Sequence, residues 1–365
     1  MKVTLDVDAI QPQLSGIGRY AWELSCGLRN HPAVSRLNLY ARGRLIDDPQ
    51  VLLSGEPRPR RKLFRKPAAM LDRLRLRGGV FHGPNYFLPT FVESGVITVH
   101  DLSVLKFPET HPAARVADFE RRLGSSISRA SQIITDTETV RQEVLEAFTM
   151  PADRVTAVPL GVDRSFRPRT RTEVAACLAE YGLEPQGYGL CVSTLEPRKK
   201  ISELILAWGR LSPAIRNRFP LALAGGGGWR NETLKQEIAQ AAGAGWLRPL
   251  GFVPESDLHS LYAGAALFTY PSTYEGFGLP LLEAMASGIP TLVANQSCLP
   301  EVCGEAALYV DPADIEDFTR KLEQALEDER LRSSLIERGL ARAATYTWSR
   351  CMDLTVQVYA RAAMA

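Results

Sequence analysis

Long apolar runs are missing from this 365-residue sequence. A membrane-spanning helix needs a stretch of about 18 apolar residues, and no such stretch occurs. The opening MKVTLDVDAI has a strand pattern without the apolar segment of a secretory signal. We therefore expect a cytoplasmic protein without a membrane span.

A strong excess of charge of one sign is also missing. The net charge is +2, which argues against a dedicated nucleic-acid binder, since such a domain is usually strongly basic. The six cysteines are scattered and include no CxxC pair, which argues against a disulfide framework or a metal site. We expect buried, reduced thiols.

Short apolar strands alternate with helical segments along the whole chain. The strands are expected at 3–7, 37–40, 80–82, 96–99, 133–135 and 155–158, and again at 189–192, 221–224, 247–250, 265–268, 291–293 and 308–310. Such strands, separated by helices, are typical of a parallel sheet covered on both faces. The sequence predicts an α/β fold with two doubly wound, Rossmann-like domains and a cleft at the carboxyl ends of the strands.

The charged, proline-containing segment RSFRPRTR at 164–171 is the expected linker. We predict an N-terminal domain at 1–168, a C-terminal domain at 169–346, and a C-terminal helix within 347–365 that returns to the first domain.

A basic segment at 57–79 interrupts the first domain. It holds nine Lys and Arg residues against the single acid Asp72, with apolar residues interleaved. This pattern suits the surface of an anionic membrane, at about 1 kcal/mol per basic residue. A solvated loop or a nucleic-acid patch remains an alternative interpretation.

The most informative stretch is YPSTYEGFGLPLLEAMASGIP, from Tyr270 to Pro290. It predicts a strand end, a loop with glycine, and a helix with proline in its first turn. Glu275 in the loop and Glu283 in the helix then lie on either side of unpaired backbone amides, which suits an anion and a polyhydroxy ligand. The alternative is an ordinary turn with solvated glutamates.

Residues that could bind or react with a substrate also follow other predicted strands. The segment TLEPRKK at 194–200 places cations where they could neutralise a diphosphate leaving group, although it could be a solvated charge run. SGIGRY at 15–20 opens a helix with glycines that allow a phosphate to approach, or forms a plain turn. His100 and Asp101 end one apolar strand and His82 another, so all three could reach the cleft.

The glycine run AGGGGW at 224–229 does not complete GxGxxG, because Arg230 or Asn231 occupies the place of the third glycine. A hydride-transfer enzyme is therefore disfavoured.

Together the motifs SGIGRY, TVHDLSVLKFPE, VPLGVD, TLEPRKK, LGFVPESDLHSLYAGA and YEGFGLPLLEAMASGIP resemble the retaining GT-B glycosyltransferases of family 4 over nearly the whole chain. That group includes bacterial mannosyl- and rhamnosyltransferases of surface polysaccharides. One departure is Lys200, where the family often has Asn.

The resemblance implies a role for each matching residue. Glu275 and His100 would be catalytic, with Glu275 at the donor sugar and His100 at the sugar or the acceptor side. From their strand ends, and not from the resemblance, His82 and Asp101 are assigned to the acceptor side; for His82 a purely structural loop with Pro84 and Pro89 is an equal alternative. The residues implied in donor binding are Gly18, Arg198, Lys199, Val253, Gly276, Phe277, Gly278, Leu279 and Glu283.

Within that set, Arg198 and Lys199 would hold the diphosphate, Glu283 the ribose hydroxyls, and Val253 the base through its backbone. The two cations would supply the charge that a metal otherwise provides, so no metal or other cofactor is expected.

The sequence thus predicts the transfer of a hexose with retention, from a nucleotide sugar to a saccharide acceptor that is lipid-linked. GDP-mannose or a GDP-deoxyhexose is the favoured donor. Because such acceptors lie at membranes, we interpret segment 57–79 as a peripheral contact with the inner face of the membrane. The alternatives are another GT-B activity, such as a sugar-nucleotide epimerase, and a non-catalytic binding partner in polysaccharide assembly.

Overall fold

A computed structural model describes residues 1–14, 16–54, 78–110, 112–226 and 232–364. The basic segment 57–79, apart from its last two residues, lies outside this range, as do Ser15 of SGIGRY and the end of the glycine run. The predicted membrane contact therefore stays a prediction.

The chain forms two compact units. The first unit comprises Met1–Pro108, Pro112–Gly161 and Trp348–Ala365, and the second comprises Glu109–His111 and Val162–Thr347. The chain leaves the first unit after Gly161, before the expected linker begins.

The expected linker belongs to the second unit because it packs there. The Ser165 hydroxyl lies 2.8 Å from Nε2 of His259. The Phe166 ring lies edge-on to His259 and Tyr262, with centroid distances of 4.6 and 5.5 Å. These contacts move the domain boundary from the predicted position after residue 168 to Gly161.

The first unit is built on a seven-stranded sheet in the order β3-β2-β1-β4-β5-β6-β7, and only the β2–β3 pair is antiparallel. The strands are β1 (Lys2–Asp6), β2 (Arg36–Ala41), β3 (Arg44–Ile46), β4 (Val80–Gly83), β5 (Gly95–Val99), β6 (Ala130–Thr135) and β7 (Val155–Ala157). The described helices of the first unit, apart from the last one, are α1 (Gly16–Arg29), α2 (Gln50–Leu53), α3 (Ser103–Lys106), α4 (Ala113–Arg129) and α5 (Glu138–Phe148).

Strand β3 was not predicted. It follows β2 through the two residues Arg42 and Gly43, which have φ values of 50° and 85°. A tight hairpin turn requires positive φ at both central positions. Gly43 is therefore the residue from which the turn and strand β3 could have been predicted.

The second unit contains a six-stranded parallel sheet in the order β10-β9-β8-β11-β12-β13. Its strands are β8 (Gly189–Val192), β9 (Leu221–Ala224), β10 (Leu247–Gly251), β11 (Leu267–Tyr270), β12 (Thr291–Ala294) and β13 (Leu308–Val310). Its helices are α6 (Arg171–Glu180), α7 (Ile201–Gly209), α8 (Pro213–Arg218), α9 (Glu232–Gly243), α10 (Glu255–Gly264), α11 (Leu279–Ala286), α12 (Leu299–Cys303), α13 (Ile315–Glu327) and α14 (Glu329–Ala343).

Close packing of helix on sheet explains one glycine of this core. Trp208 of α7 is fully buried, and a Cβ at Gly189 of β8 would lie 2.0 Å from its ring. Only glycine admits the indole at this distance, so the first residue of β8 and the tryptophan depend on each other.

The last helix, α15 (Trp348–Ala362), belongs to the first unit. Its Tyr359 is fully buried and bonds to His82 of β4 at 2.7 Å. Met352 lies against α1 so closely that a Cβ at Gly27 would be 2.7 Å from its Cγ.

The described helices include none that is long and apolar enough to cross a membrane. All six cysteines are free thiols, and Cys191, Cys298, Cys303 and Cys351 are buried.

Candidate functional site

The loop between β11 and α11 forms the centre of the candidate site. Gly278 precedes the helix with φ 95° and ψ 54°, a conformation that strongly favours glycine, and Pro280 occupies the first turn. Phe277 is 4% exposed, and its ring lies edge-on to Tyr346 at 5.7 Å. The loop is therefore a packed structure, and the interpretation as a plain solvated turn is wrong.

Glu275 is buried in this loop beside two cations. Its carboxylate forms a very short ion pair with the Lys199 ammonium, and its Oε2 lies 3.4 Å from Nη1 of Arg198. Burial alone would raise the pKa of Glu275, but Lys199 and Arg198 outweigh it and lower the pKa to about 2. Glu275 is therefore a permanent carboxylate at neutral pH and has no proton to give.

The two cations come from the turn after β8, as the sequence predicted for the segment TLEPRKK. Lys199 is 6% exposed and also donates to the Tyr270 hydroxyl at 3.2 Å. Arg198 is partly exposed and pairs with Glu196 at 3.0 Å. Neither is a solvated charge.

The backbone ties the same two turns together. Arg198 donates from Nη1 to the Tyr274 carbonyl at 2.7 Å, and the Thr273 amide donates to the Arg198 carbonyl at 2.9 Å. Two motifs that are far apart in sequence thus form one connected structure.

Lys200 directly precedes α7, with φ 55° and ψ 38°, and its side chain does not cap the helix. Its ammonium pairs instead with Glu203 at 2.8 Å. The left-handed conformation explains why asparagine is favoured at this position in the family that the sequence resembles, since Asn tolerates it far better than Lys does.

Glu283 lies half-buried on α11, beside the fully buried Tyr262 of α10. Burial raises the pKa of the Tyr262 hydroxyl well above its usual value, and the Glu283 carboxylate raises it further. Tyr262 thus remains a neutral phenol next to the second glutamate. Val253, just after β10, is 5% exposed, whereas its neighbour Phe252 is 60% exposed.

In the first unit, His100 follows β5 and is 7% exposed. Its Nδ1 lies 2.7 Å from the Asp136 carboxylate and its Nε2 lies 2.8 Å from the Pro84 carbonyl. Burial would lower the pKa of His100, but Asp136 and the Pro84 carbonyl outweigh it and raise the pKa above 6.5. Both ring nitrogens are occupied, so a substrate could bond to the ring only by replacing a partner.

Asp136 was not predicted from the sequence. It directly follows β6, as His100 directly follows the neighbouring strand β5. Because adjacent parallel strands end at the same edge of a sheet, the pair could have been predicted from those two strand ends.

His82 is not placed to meet an acceptor. It is 0% exposed, and its ring bonds to Tyr359 at 2.7 Å and to Thr98 at 2.8 Å. Burial, with the charge of His100, lowers the pKa of His82 to about 3. This neutral imidazole links β4, β5 and α15, which corrects its predicted position at the acceptor side.

Asp101 accepts from the amide and hydroxyl of Ser103, at 2.9 and 2.7 Å, so it holds the start of α3. Gly18 lies buried in the first turns of α1. Tyr20 of the same helix lies edge-on to His100 at 5.1 Å, so SGIGRY and His100 do meet.

Within the described residues, no group of three or more His, Cys, Asp or Glu side chains is arranged to hold a metal ion.

Comparison with solved structures identifies the fold. Anabaena HepE, solved in complex with UDP and glucose, aligns with a TM-score of 0.73 at 15% identity, covering 99% of both chains. WaaG, a glycosyltransferase involved in lipopolysaccharide biosynthesis, aligns with a TM-score of 0.72 at 15% identity, covering 98% of this chain and 99% of the other. The fold is GT-B, as the sequence predicted.

Sequence comparison then defines the family. Residues 181–342 match the family described as "Glycosyl transferases group 1". The O-antigen chain mannosyltransferase B of Escherichia coli is 36% identical over 378 aligned residues, which cover 98% of this chain and 99% of that protein. The chain belongs to the group 1 glycosyltransferases, and the predicted enzyme class is confirmed.

The strain at Lys200 predicts a stabilising substitution. Lys200→Asn should raise the free energy of unfolding by about 0.5–1 kcal/mol, because Asn accepts the left-handed conformation at lower cost. Urea denaturation followed by tryptophan fluorescence measures the change. Lys200→Ala keeps the Cβ and the strain and should give no gain; equal stabilisation by Ala would contradict this explanation.

The raised pKa of His100 predicts the effect of Asp136→Asn. Without the carboxylate, burial prevails and the His100 pKa should fall below 6.5, which NMR titration of labelled histidines measures. Asp101→Asn is the control and should leave the pKa raised, since Asp101 contributes least among the causes. An unchanged pKa in Asp136→Asn would refute the assignment.

The same shift fixes the sign of the stability change. A raised pKa stabilises the folded state fully below the unfolded value of 6.5, and this contribution is lost as pH rises through the folded value. The urea midpoints of wild type and Asp136→Asn should therefore differ most just below pH 6.5. The difference should shrink as pH rises through the folded pKa of His100, and also in acid, where Asp136, whose pKa burial raises, becomes protonated.

Proposed function

We propose that this glycosyltransferase moves mannose, with retention, from GDP-mannose to a lipid-linked saccharide of a surface polysaccharide. Glu275 carries the proposal, because a buried carboxylate that stays ionised suits the sugar side of a glycosyl transfer. The choice of sugar follows the E. coli relative, which is named for mannosyl transfer and is 36% identical over the full length.

Glu275 acts by its negative charge. As the bond between the anomeric carbon and the diphosphate oxygen breaks, its electron pair leaves with the diphosphate and positive charge develops on the sugar ring. A fixed carboxylate stabilises that charge without any change in its own protonation. The pKa of about 2 supports this role, since an acid–base catalyst would need a pKa near the working pH.

Arg198 receives the leaving diphosphate. Its guanidinium is less buried than the Lys199 ammonium, and it adjoins the sugar-side carboxylate. Lys199 mainly holds Glu275 in place. Its ammonium can also pair with the diphosphate only if its ion pair with Glu275 loosens. Gly276, Phe277, Gly278 and Leu279 supply backbone amides, and no metal takes part.

Glu283 binds the ribose hydroxyls. Val253 meets the base through its backbone. The acceptor hydroxyl attacks the anomeric carbon on the face that the diphosphate leaves, which retains configuration, and its proton passes to a diphosphate oxygen.

On the acceptor side, His100 is held by the Asp136 carboxylate at 2.7 Å, and Asp101 lies next to it in sequence. The lipid part of the acceptor suits a protein at the cytoplasmic face of a membrane, with segment 57–79 as the contact.

The role of Glu275 is tested by Glu275→Gln, which keeps the size of the side chain and removes its charge. With saturating donor, kcat for mannosyl transfer should fall about a hundredfold or more. Glu203→Gln, an equivalent change at a partly exposed ion pair in the same unit, should stay within about twofold. Turnover of Glu275→Gln within a few-fold of wild type would remove Glu275 from the mechanism.

The donor base is tested by thermal shift. GDP and GDP-mannose should raise the melting temperature of the wild-type protein more than UDP, dTDP or ADP at equal concentration, because only a ligand of the folded state stabilises it. A larger shift with UDP or UDP-glucose would contradict the choice of guanine.

A further inference from the structure

The turn after β12 forms hydrogen bonds with the main chain of Glu275. Ser297 places its hydroxyl against both polar backbone groups of Glu275: Oγ accepts from the amide at 3.2 Å and donates to the carbonyl at 2.8 Å. One side chain thus fixes the peptide groups on either side of the Glu275 Cα.

Cys298 adds a second contact to the same carbonyl. Its thiol is 0% exposed and donates to the Glu275 oxygen over 3.1 Å. The carbonyl therefore accepts from two neighbouring side chains of one turn.

Ser297 holds this position at a cost to its backbone. Its φ is 56°, in the left-handed region, where glycine would be unstrained and serine is strained. A turn that needed only this conformation would be better served by glycine. The hydroxyl gives a reason for serine, since glycine has no group that could bond to Glu275.

We propose that Ser297, assisted by Cys298, is a positioning residue for Glu275. The inference depends on the proposed role of Glu275 in transfer. The turn after β8 fixes its carboxylate through Lys199 and Arg198, and the turn after β12 fixes its main chain. Held from both ends, the carboxylate has one position relative to the sugar, and a displacement of about 1 Å can cost as much as a hundredfold in rate.

Two substitutions of Ser297 separate positioning from backbone strain. Ser297→Ala removes the hydroxyl and keeps the strain, whereas Ser297→Gly removes both. Both should lower kcat about tenfold, with KM for the donor within about twofold of wild type, because the Glu275 carboxylate remains but is less well placed. Ser297→Gly should nevertheless melt at a higher temperature than Ser297→Ala.

Three further variants complete the test. Cys298→Ser retains a donor to the carbonyl and should stay closer to wild type than Cys298→Ala. Gln296→Ala, in the same turn, keeps the backbone bond from Leu299 to the residue 296 carbonyl and should leave kcat unchanged. Glu275→Gln, assayed in parallel, reports on the carboxylate itself.

The outcomes are distinguishable. If Glu275→Gln is inactive but Ser297→Ala and Ser297→Gly both turn over like wild type, the positioning inference alone is wrong. The same holds if Ser297→Gly restores kcat while Ser297→Ala does not, because then only the backbone conformation matters, or if KM rises with kcat unchanged. If Glu275→Gln retains its activity, the proposed role of Glu275 fails and the inference fails with it.

Discussion

The candidate site depends on one buried carboxylate between two buried or partly buried cations. Leaving Glu275 without Lys199 and Arg198 would strand a charge in the protein interior, and breaking a buried ion pair typically costs about 3–5 kcal/mol. The attraction also holds two loops together that follow different strands, β8 and β11. Residues 276–279 continue the loop after β11 directly from Glu275, so this contact also anchors the start of that run.

Backbone strain gathers around this contact. Lys200 and Ser297 both have positive φ, and they lie in two of the turns that meet at Glu275. Strained residues persist where the surrounding contacts over-determine their conformation, as the two hydrogen bonds with Glu275 do for Ser297. The site is thus built for a fixed geometry, which is what electrostatic stabilisation of a transition state requires.

Much of this could be predicted from sequence. The apolar runs indicated both sheets, and Glu275, Glu283 and the cations of TLEPRKK were identified because strand ends carry chemistry in parallel sheets. The contacts between individual side chains were harder to predict from the sequence. The sequence predicted that Arg198 and Lys199 meet a diphosphate. Their contact with Glu275 was not predicted, because it depends on the distance between side chains of two loops that are far apart in sequence. Asp136 and Ser297 were missed because each acts on a residue far away in sequence, and His82 was misplaced because a strand end can be buried under a distant helix.

The two units differ in how their buried charges respond to pH. In the first unit, the raised pKa of His100 and that of Asp6, raised to about 7 by burial and by Asp8, both remove stability as pH rises. His82, with its pKa lowered to about 3, removes stability as pH falls below 6.5. In the second unit, the lowered pKa of Glu275 matters only in acid, where stability is lost between its unfolded value of 4.5 and about 2. Near neutrality these buried groups therefore make the first unit sensitive to pH, whereas the Glu275 site keeps its charges.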